Sequence, residues 1–121
     1  MSSSFHVLII DDDPSSCEAL SRPLSRLGCK VSVRGTAEQG VRYLKQRSFD
    51  AVFVALCVRE MGARAVARVV KLQSQSTRFF LVTGWKGELE ANLLRFDGIH
   101  EVIRKPFNFA EIRDKVLEHL G

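Results

Sequence analysis

The chain has 121 residues, 45% hydrophobic and 26% charged, with 18 Lys plus Arg against 14 Asp plus Glu for a net charge of +4 at pH 7. That length holds one domain, the composition excludes wholesale disorder, and no apolar run approaches the roughly 18 residues needed to cross a bilayer. Cys17, Cys29 and Cys57 lie far apart, with no C-x-x-C pair and no His at zinc-finger spacing, which excludes a disulfide framework and a zinc finger.

Short apolar runs alternate with amphipathic stretches, the pattern of β-α units on a parallel sheet. His6-Val7-Leu8-Ile9-Ile10 is nearly all apolar and stops at Asp11-Asp12-Asp13, which predicts a central strand buried on both faces. Asp13 can cap and Pro14 can open a helix carrying Cys17, Leu20, Leu24 and Leu27 on one face and ending at Gly28. Pro23 is expected to kink it. A second strand, Cys29 to Val33, precedes a helix from about Ala37 to Gln46 with Val41 and Leu44 inward. Strand three is Ala51 to Leu56. The next helix, about Gly62 to Gln73, turns Val66, Val69 and Val70 inward and Arg64, Arg68 and Lys71 to water. Strand four is Phe79 to Val82. A short helix around Leu89 to Arg95, a fifth strand from His100 to Ile103 and a last helix from Phe109 to Leu120 complete five β-α units, read as one domain over residues 1–121. The opening MSSSF lacks the basic and apolar segments of a secretory signal, so a cytoplasmic protein with reduced thiols is expected.

In an open parallel sheet, functional residues gather at the carboxyl ends of the strands, near the point where strand order reverses. Those ends carry Asp11-Asp12-Asp13, Ala55-Leu56-Cys57, Thr83-Gly84 and Lys105-Pro106. Carboxylates, a hydroxyl and an ammonium would converge on one cleft. Crowded carboxylates repel, and a hard divalent cation such as Mg²⁺ relieves the repulsion. Each residue also has a plainer role: Asp11 and Asp12 as amide acceptors at the helix start, Lys105 as their ion-pair partner, Thr83 as a loop hydrogen-bonding group, and Cys57 as an inert thiol. Trp85, the single tryptophan, would cover the cleft, anchor an interface or pack on a helix.

The segments Val7-Leu8-Ile9-Ile10-Asp11-Asp12-Asp13-Pro14, Phe49-Asp50-Ala51-Val52-Phe53-Val54, Leu81-Val82-Thr83-Gly84 and Ile103-Arg104-Lys105-Pro106-Phe107 stand in the order and spacing of a known family. Over essentially its full length the chain resembles the CheY-like receiver domain of two-component response regulators. The resemblance implies an α/β, flavodoxin-like fold: a doubly wound five-stranded parallel sheet of order 2-1-3-4-5. It further implies Asp11 and Asp12 as the pair that holds Mg²⁺, with the Cys57 backbone carbonyl as a further ligand. Thr83 would be the switch hydroxyl, Lys105 the phosphoryl contact, and Lys105-Pro106 a cis bond.

One departure dominates. The family's phosphoacceptor aspartate falls on Ala55, whose methyl offers no nucleophile. Asp50 cannot replace it, because five strand residues place it roughly 16 Å away at the other end of the sheet. Arg59 and Ala63 stand where the loop after strand three usually has Pro and Gly, and Val102 replaces the usual reporting aromatic.

The expectation is therefore a pseudo-receiver that acts by protein–protein contact, without aspartyl phosphorylation or catalysis, and holds Mg²⁺ weakly. Its partner would be a histidine kinase, effector or other regulator, or a second copy. The contact face implied by the resemblance comprises the fourth predicted helix, fifth strand and last helix, with Trp85, Leu89, Leu93, Arg95 and Arg104 as candidates. Basic residues are scattered over outer helix faces without interleaved aromatics, so nucleic acid and membrane are not expected partners. Two other readings are weighed: an ordinary phosphoaccepting receiver whose Asp was replaced by Ala at position 55, and a small Mg²⁺-dependent phosphohydrolase using Asp12 and Lys105. The first leaves Arg59, Ala63 and Val102 unexplained, and the second lacks both a nucleophile and a substrate-binding insertion.

Overall fold

The strands are β1 (His6–Ile10), β2 (Lys30–Arg34), β3 (Ala51–Ala55), β4 (Arg78–Thr83) and β5 (Glu101–Arg104), and the helices α1 (Pro14–Arg26), α2 (Ala37–Gln46), α3 (Ala63–Gln73) and α4 (Phe109–Leu120). They come from a computed structural model that describes residues 4–56, 62–74, 76–85 and 98–121. The helix predicted around Leu89 to Arg95, together with Cys57 and Arg59, lies outside the described residues. β4 and β5 each run one residue further at the carboxyl end than the apolar runs suggest, because strand pairing, rather than side-chain polarity, carries Thr83 opposite Arg104.

All pairings are parallel, and the order is β2-β1-β3-β4-β5. Leu8 lies opposite Ser32 on one side and Val52 on the other, and Phe53 opposite Phe80. Because β1 sits inside the sheet with β2 and β3 on either side, the chain reverses its direction of travel across the sheet there, opening a crevice at the carboxyl ends of β1 and β3.

Alternate strand residues feed two cores, as a doubly covered sheet requires. Leu8, Ile10, Val52, Val54, Phe79 and Leu81 pack with Ala37 of α2 and with Ala63, Val66, Ala67 and Val70 of α3. On the opposite face Val7, Ile9, Phe53, Phe80, Val82 and Ile103 pack with Cys17, Leu20 and Leu24 of α1 and Ile112 and Val116 of α4. The Phe53 and Phe80 rings stack, with centroids 4.4 Å apart. In α3 the inward row is Ala63, Val66, Ala67 and Val70, and Val69 is only half-buried. Gly40 lets α2 approach β1: a Cβ there would sit 2.3 Å from Ile10 Cδ1.

The helix ends follow their sequence signals. Asp13, Thr36 and Asn108 each accept a backbone amide hydrogen bond as N-caps, from Ser15, Gln39 and Glu111. After α1 the Gly28 amide donates to the Ser25 carbonyl and that of Cys29 to the Leu24 carbonyl, closing a paired-bond terminus that requires a left-handed residue. Gly28 supplies it with φ of 90°. Pro23 is accommodated as the tenth of thirteen helical residues, with its ring buried.

Candidate functional site

The carboxyl ends of β1, β3, β4 and β5 surround an open cleft of about 450 Å³ lined by the triple aspartate, Ser16, Ala55, Leu56, Val82, Thr83, Gly84, Trp85 and Lys105. The sheet therefore brings together Asp11, Asp12, Ala55, Thr83, Trp85 and Lys105 from four separate segments. Cys57 lies outside the described residues, as do Leu89, Leu93 and Arg95.

Asp11 follows β1 directly, and its amide donates to the Arg34 carbonyl of the neighbouring strand, so its backbone is fixed by the sheet. Its side chain is 5% exposed. Oδ1 accepts from the Asp13 amide at 2.9 Å, whereas Oδ2 is buried with no hydrogen-bond partner among the described residues. The Lys105 ammonium stands 3.9 Å from that oxygen, an ionic contact too long for a hydrogen bond. Burial pushes the Asp11 carboxyl up; the Asp13 amide and the Lys105 charge pull it back, and the neighbouring aspartates push it further up.

Lys105 donates to the hydroxyl of Ser16, and that hydroxyl donates to Asp13 Oδ2 at 3.2 Å. Ser16 is 7% exposed in the first turn of α1. It is the site residue that sequence reasoning missed. The available signal was its place three residues after the capping Asp13, where a hydroxyl lies over the helix start. A buried core thiol also engages Asp11: Cys17 Sγ donates to the Asp11 carbonyl, and burial, followed by the Asp11 charge, pushes that thiol up. Cys17 is thereby a packed, inert group.

Thr83 closes β4 and is 4% exposed; its hydroxyl oxygen accepts from the Trp85 amide at 3.0 Å. The Trp85 carbonyl in turn accepts from Arg104 Nη1 at 2.9 Å, and the indole is 60% exposed. The Lys105 amide donates to the Thr83 carbonyl, which carries the sheet past β5 to the Lys105-Pro106 bond, and that bond is cis. Ala55 ends β3, half-buried, with Val82 opposite.

Three carboxylates against one ammonium make this cleft electronegative and suited to a cation. Oxygen donors of this kind match a hard divalent ion, and Asp11 Oδ2, without a hydrogen-bond partner among the described residues, has lone pairs to offer it. The residues thus fit Mg²⁺, for which Asp11 and Asp12 would be the side-chain donors. Bound there, the ion would supply positive charge against the carboxylates; Lys105 supplies the second positive centre, oriented by Ser16.

The response regulator receiver domain model matches residues 7–117, and the chain belongs to that family. Receiver domains are modules of two-component signalling, are generally regulatory and typically bind Mg²⁺. Among curated relatives, the Saccharomyces cerevisiae transcription factor SKN7 is 22% identical over 118 residues, covering 96% of this chain and 19% of SKN7. The transcriptional regulatory protein ZraR of Escherichia coli O157:H7 is 24% identical over 116 residues, covering 93% of this chain and 26% of ZraR. The chain therefore spans about a fifth to a quarter of these relatives. Among solved structures, the chemotaxis response regulator CheY4 of Vibrio cholerae superposes with a TM-score of 0.88 at 19% identity, covering 98% of this chain and 100% of that one. The response regulator TrrA of Thermotoga maritima in complex with Mg²⁺-BeF gives 0.82 at 22% identity, covering 96% and 99%. At these identities the structural likeness establishes the doubly wound fold.

Proposed function

We propose that residues 1–121 form a single receiver unit that signals through protein contact and takes up no phosphoryl group on an aspartate. The observation that carries this reading is Ala55, a methyl at the end of β3 facing the cleft where the family's acceptor carboxylate belongs. Asp50 offers no substitute: it precedes β3 at the opposite end of the sheet, where its Oδ2 accepts from the His6 amide at 2.8 Å. Thr83 holds the Trp85 amide, so on this reading its hydroxyl orders the loop and is not a switch. Lys105 neutralises the aspartates through Asp11 and Ser16. Mg²⁺ binds at Asp11 and Asp12, more weakly than in a receiver with three acidic side chains, because one ligand has become a methyl. The Cys57 carbonyl would complete the set.

The partner is another signalling protein, a histidine kinase, effector or regulator, or a second copy of the chain. The exposed Trp85 indole beside Arg104 supports an anchor on this face. Leu89, Leu93 and Arg95 complete the proposed contact set.

The test is a Mg²⁺ titration followed by beryllofluoride, a phosphoryl mimic, with Trp85 fluorescence read in the native chain and in Ala55→Asp. The native chain is expected to be silent to beryllofluoride in saturating Mg²⁺. A saturable beryllofluoride response in the native chain overturns the proposal. A response confined to Ala55→Asp would mean that the cleft retains its coupling and lacks only the carboxylate.

A further inference from the structure

At the far edge of the sheet from β2, three metal-capable side chains converge that the cleft does not use. Glu101 opens β5, and Glu118 and His119 lie in the last turn of α4. One donor atom from each falls within 4.8 Å of the other two. Glu101 Oε1 and His119 Nε2 are 3.2 Å apart, close to the separation of two ligands sharing one ion at the usual Zn–O and Zn–N bond lengths of about 2.0–2.2 Å. We infer that Glu101, Glu118 and His119 form a binding site for a borderline transition-metal cation of the Zn²⁺ class, with water as the fourth ligand.

Each donor is prepared by its surroundings. The His119 ring stands edge-on to Phe80, with centroids 5.3 Å apart, which fixes the direction of Nε2. Glu101 Oε2 is held by the Lys115 ammonium at 2.8 Å, which leaves Oε1 turned towards His119. That ammonium is also the group that opposes the ion, so the site is expected to be modest in affinity. The carbonyls at the carboxyl end of α4 add negative potential. An imidazole nitrogen with two carboxylates selects Zn²⁺, Co²⁺ or Ni²⁺ over Mg²⁺, whereas the all-oxygen cleft does the reverse. On binding, the hydrogen bond between His119 and Glu101 gives way to two coordinate bonds, and any proton on Nε2 leaves to Nδ1 or to solvent. The ion would then tie β5 to α4.

The test is calorimetric titration of the untagged full chain with zinc chloride, with the His119 ring resonances followed by NMR. One equivalent per chain is expected, perturbing the His119 ring. His119→Ala and Glu118→Gln should each weaken binding by about tenfold or more. Lys115→Met should tighten it, by removing the opposing charge. Glu118 is exposed, so its variant leaves the fold intact whatever His119→Ala does to packing on Phe80. Absence of saturable binding below about 1 mM Zn²⁺ overturns the assignment. Binding that is unchanged in Glu118→Gln and His119→Ala overturns it equally, by placing the ion on the cleft or the thiols.

Discussion

Asp11 carries opposing demands in a single side chain. Burial, the largest influence, pushes its carboxyl above the ordinary 3.8, and the Asp13 amide and Lys105 recover only part of that shift. A carboxyl whose pKa is raised by folding stabilises the protein below the ordinary value, and that contribution is lost as pH rises through the raised one. At neutral pH the ionised, half-satisfied group is therefore a cost. Asp11→Asn is expected to raise stability at pH 7 without divalent cations by on the order of 1 kcal/mol. The gain should shrink as pH falls toward the ordinary carboxylate range, and urea midpoints across pH measure it. In saturating Mg²⁺ the order should reverse, since the native carboxylate gives the ion a charged ligand. The triple aspartate and Lys105 were legible at this scale, because charge at strand ends is a strong signal. Ser16 was not, since a serine in a helical stretch reads as a solvated face until a partner 89 residues away reaches it.

Contacts between neighbouring elements turn on single atoms. Gly40→Ala would drive a methyl into Ile10, which is fully buried, and is expected to destabilise by about 1–3 kcal/mol in urea melts. Ile10→Val in the same chain should recover part of that loss, so the double variant falls short of additivity. Asn108→Ala, which removes the acceptor for the Glu111 amide, should cost about 1 kcal/mol. Between β5 and α4, burial raises the Glu101 carboxyl, but hydrogen bonds from Lys115 and His119 outweigh it and hold the group below its ordinary 4.5. A depressed carboxyl stabilises above the ordinary value, and the contribution is lost as pH falls through the lowered one. Glu101→Gln is thus expected to cost about 1 kcal/mol at neutral pH in the metal-free chain and progressively less in acid, read from thermal melts at each pH. Strands and helices were readable from period and punctuation. Pro23, a residue type that interrupts helices, stands as the tenth of the thirteen residues of α1, and the helix runs on past it to Arg26. In α3 the packing geometry chose Ala67 rather than Val69 for the inward row, a choice that hydrophobicity alone reverses.

Across the whole molecule, charge at the cleft sets the balance between folding and ion binding. Ala55→Asp would lower the net charge from +4 to +3 and add a carboxylate beside three others. Without Mg²⁺ this variant should be less stable than the native chain by about 1 kcal/mol, through like-charge repulsion. With Mg²⁺ at a hundred times its dissociation constant it should regain about 2.7 kcal/mol. At that same Mg²⁺ concentration the native chain, binding more weakly, gains less, so the difference in melting temperature between Mg²⁺ and chelator is expected to be larger in Ala55→Asp.

By itself the sequence determined the alternation of strands and helices, the carboxyl-end location of the acidic residues, and the absence of a carboxylate at position 55. These are local properties, fixed by residue type, spacing and the two-residue period of a strand. Only the tertiary structure decided which polar atoms are satisfied. It joined Lys105 to Ser16, left Asp11 Oδ2 without a hydrogen-bond partner among the described residues, and gathered Glu101, Lys115 and His119 at one edge. Such pairings depend on distances of a few ångströms between segments far apart in the chain, and periodicity carries no information about them.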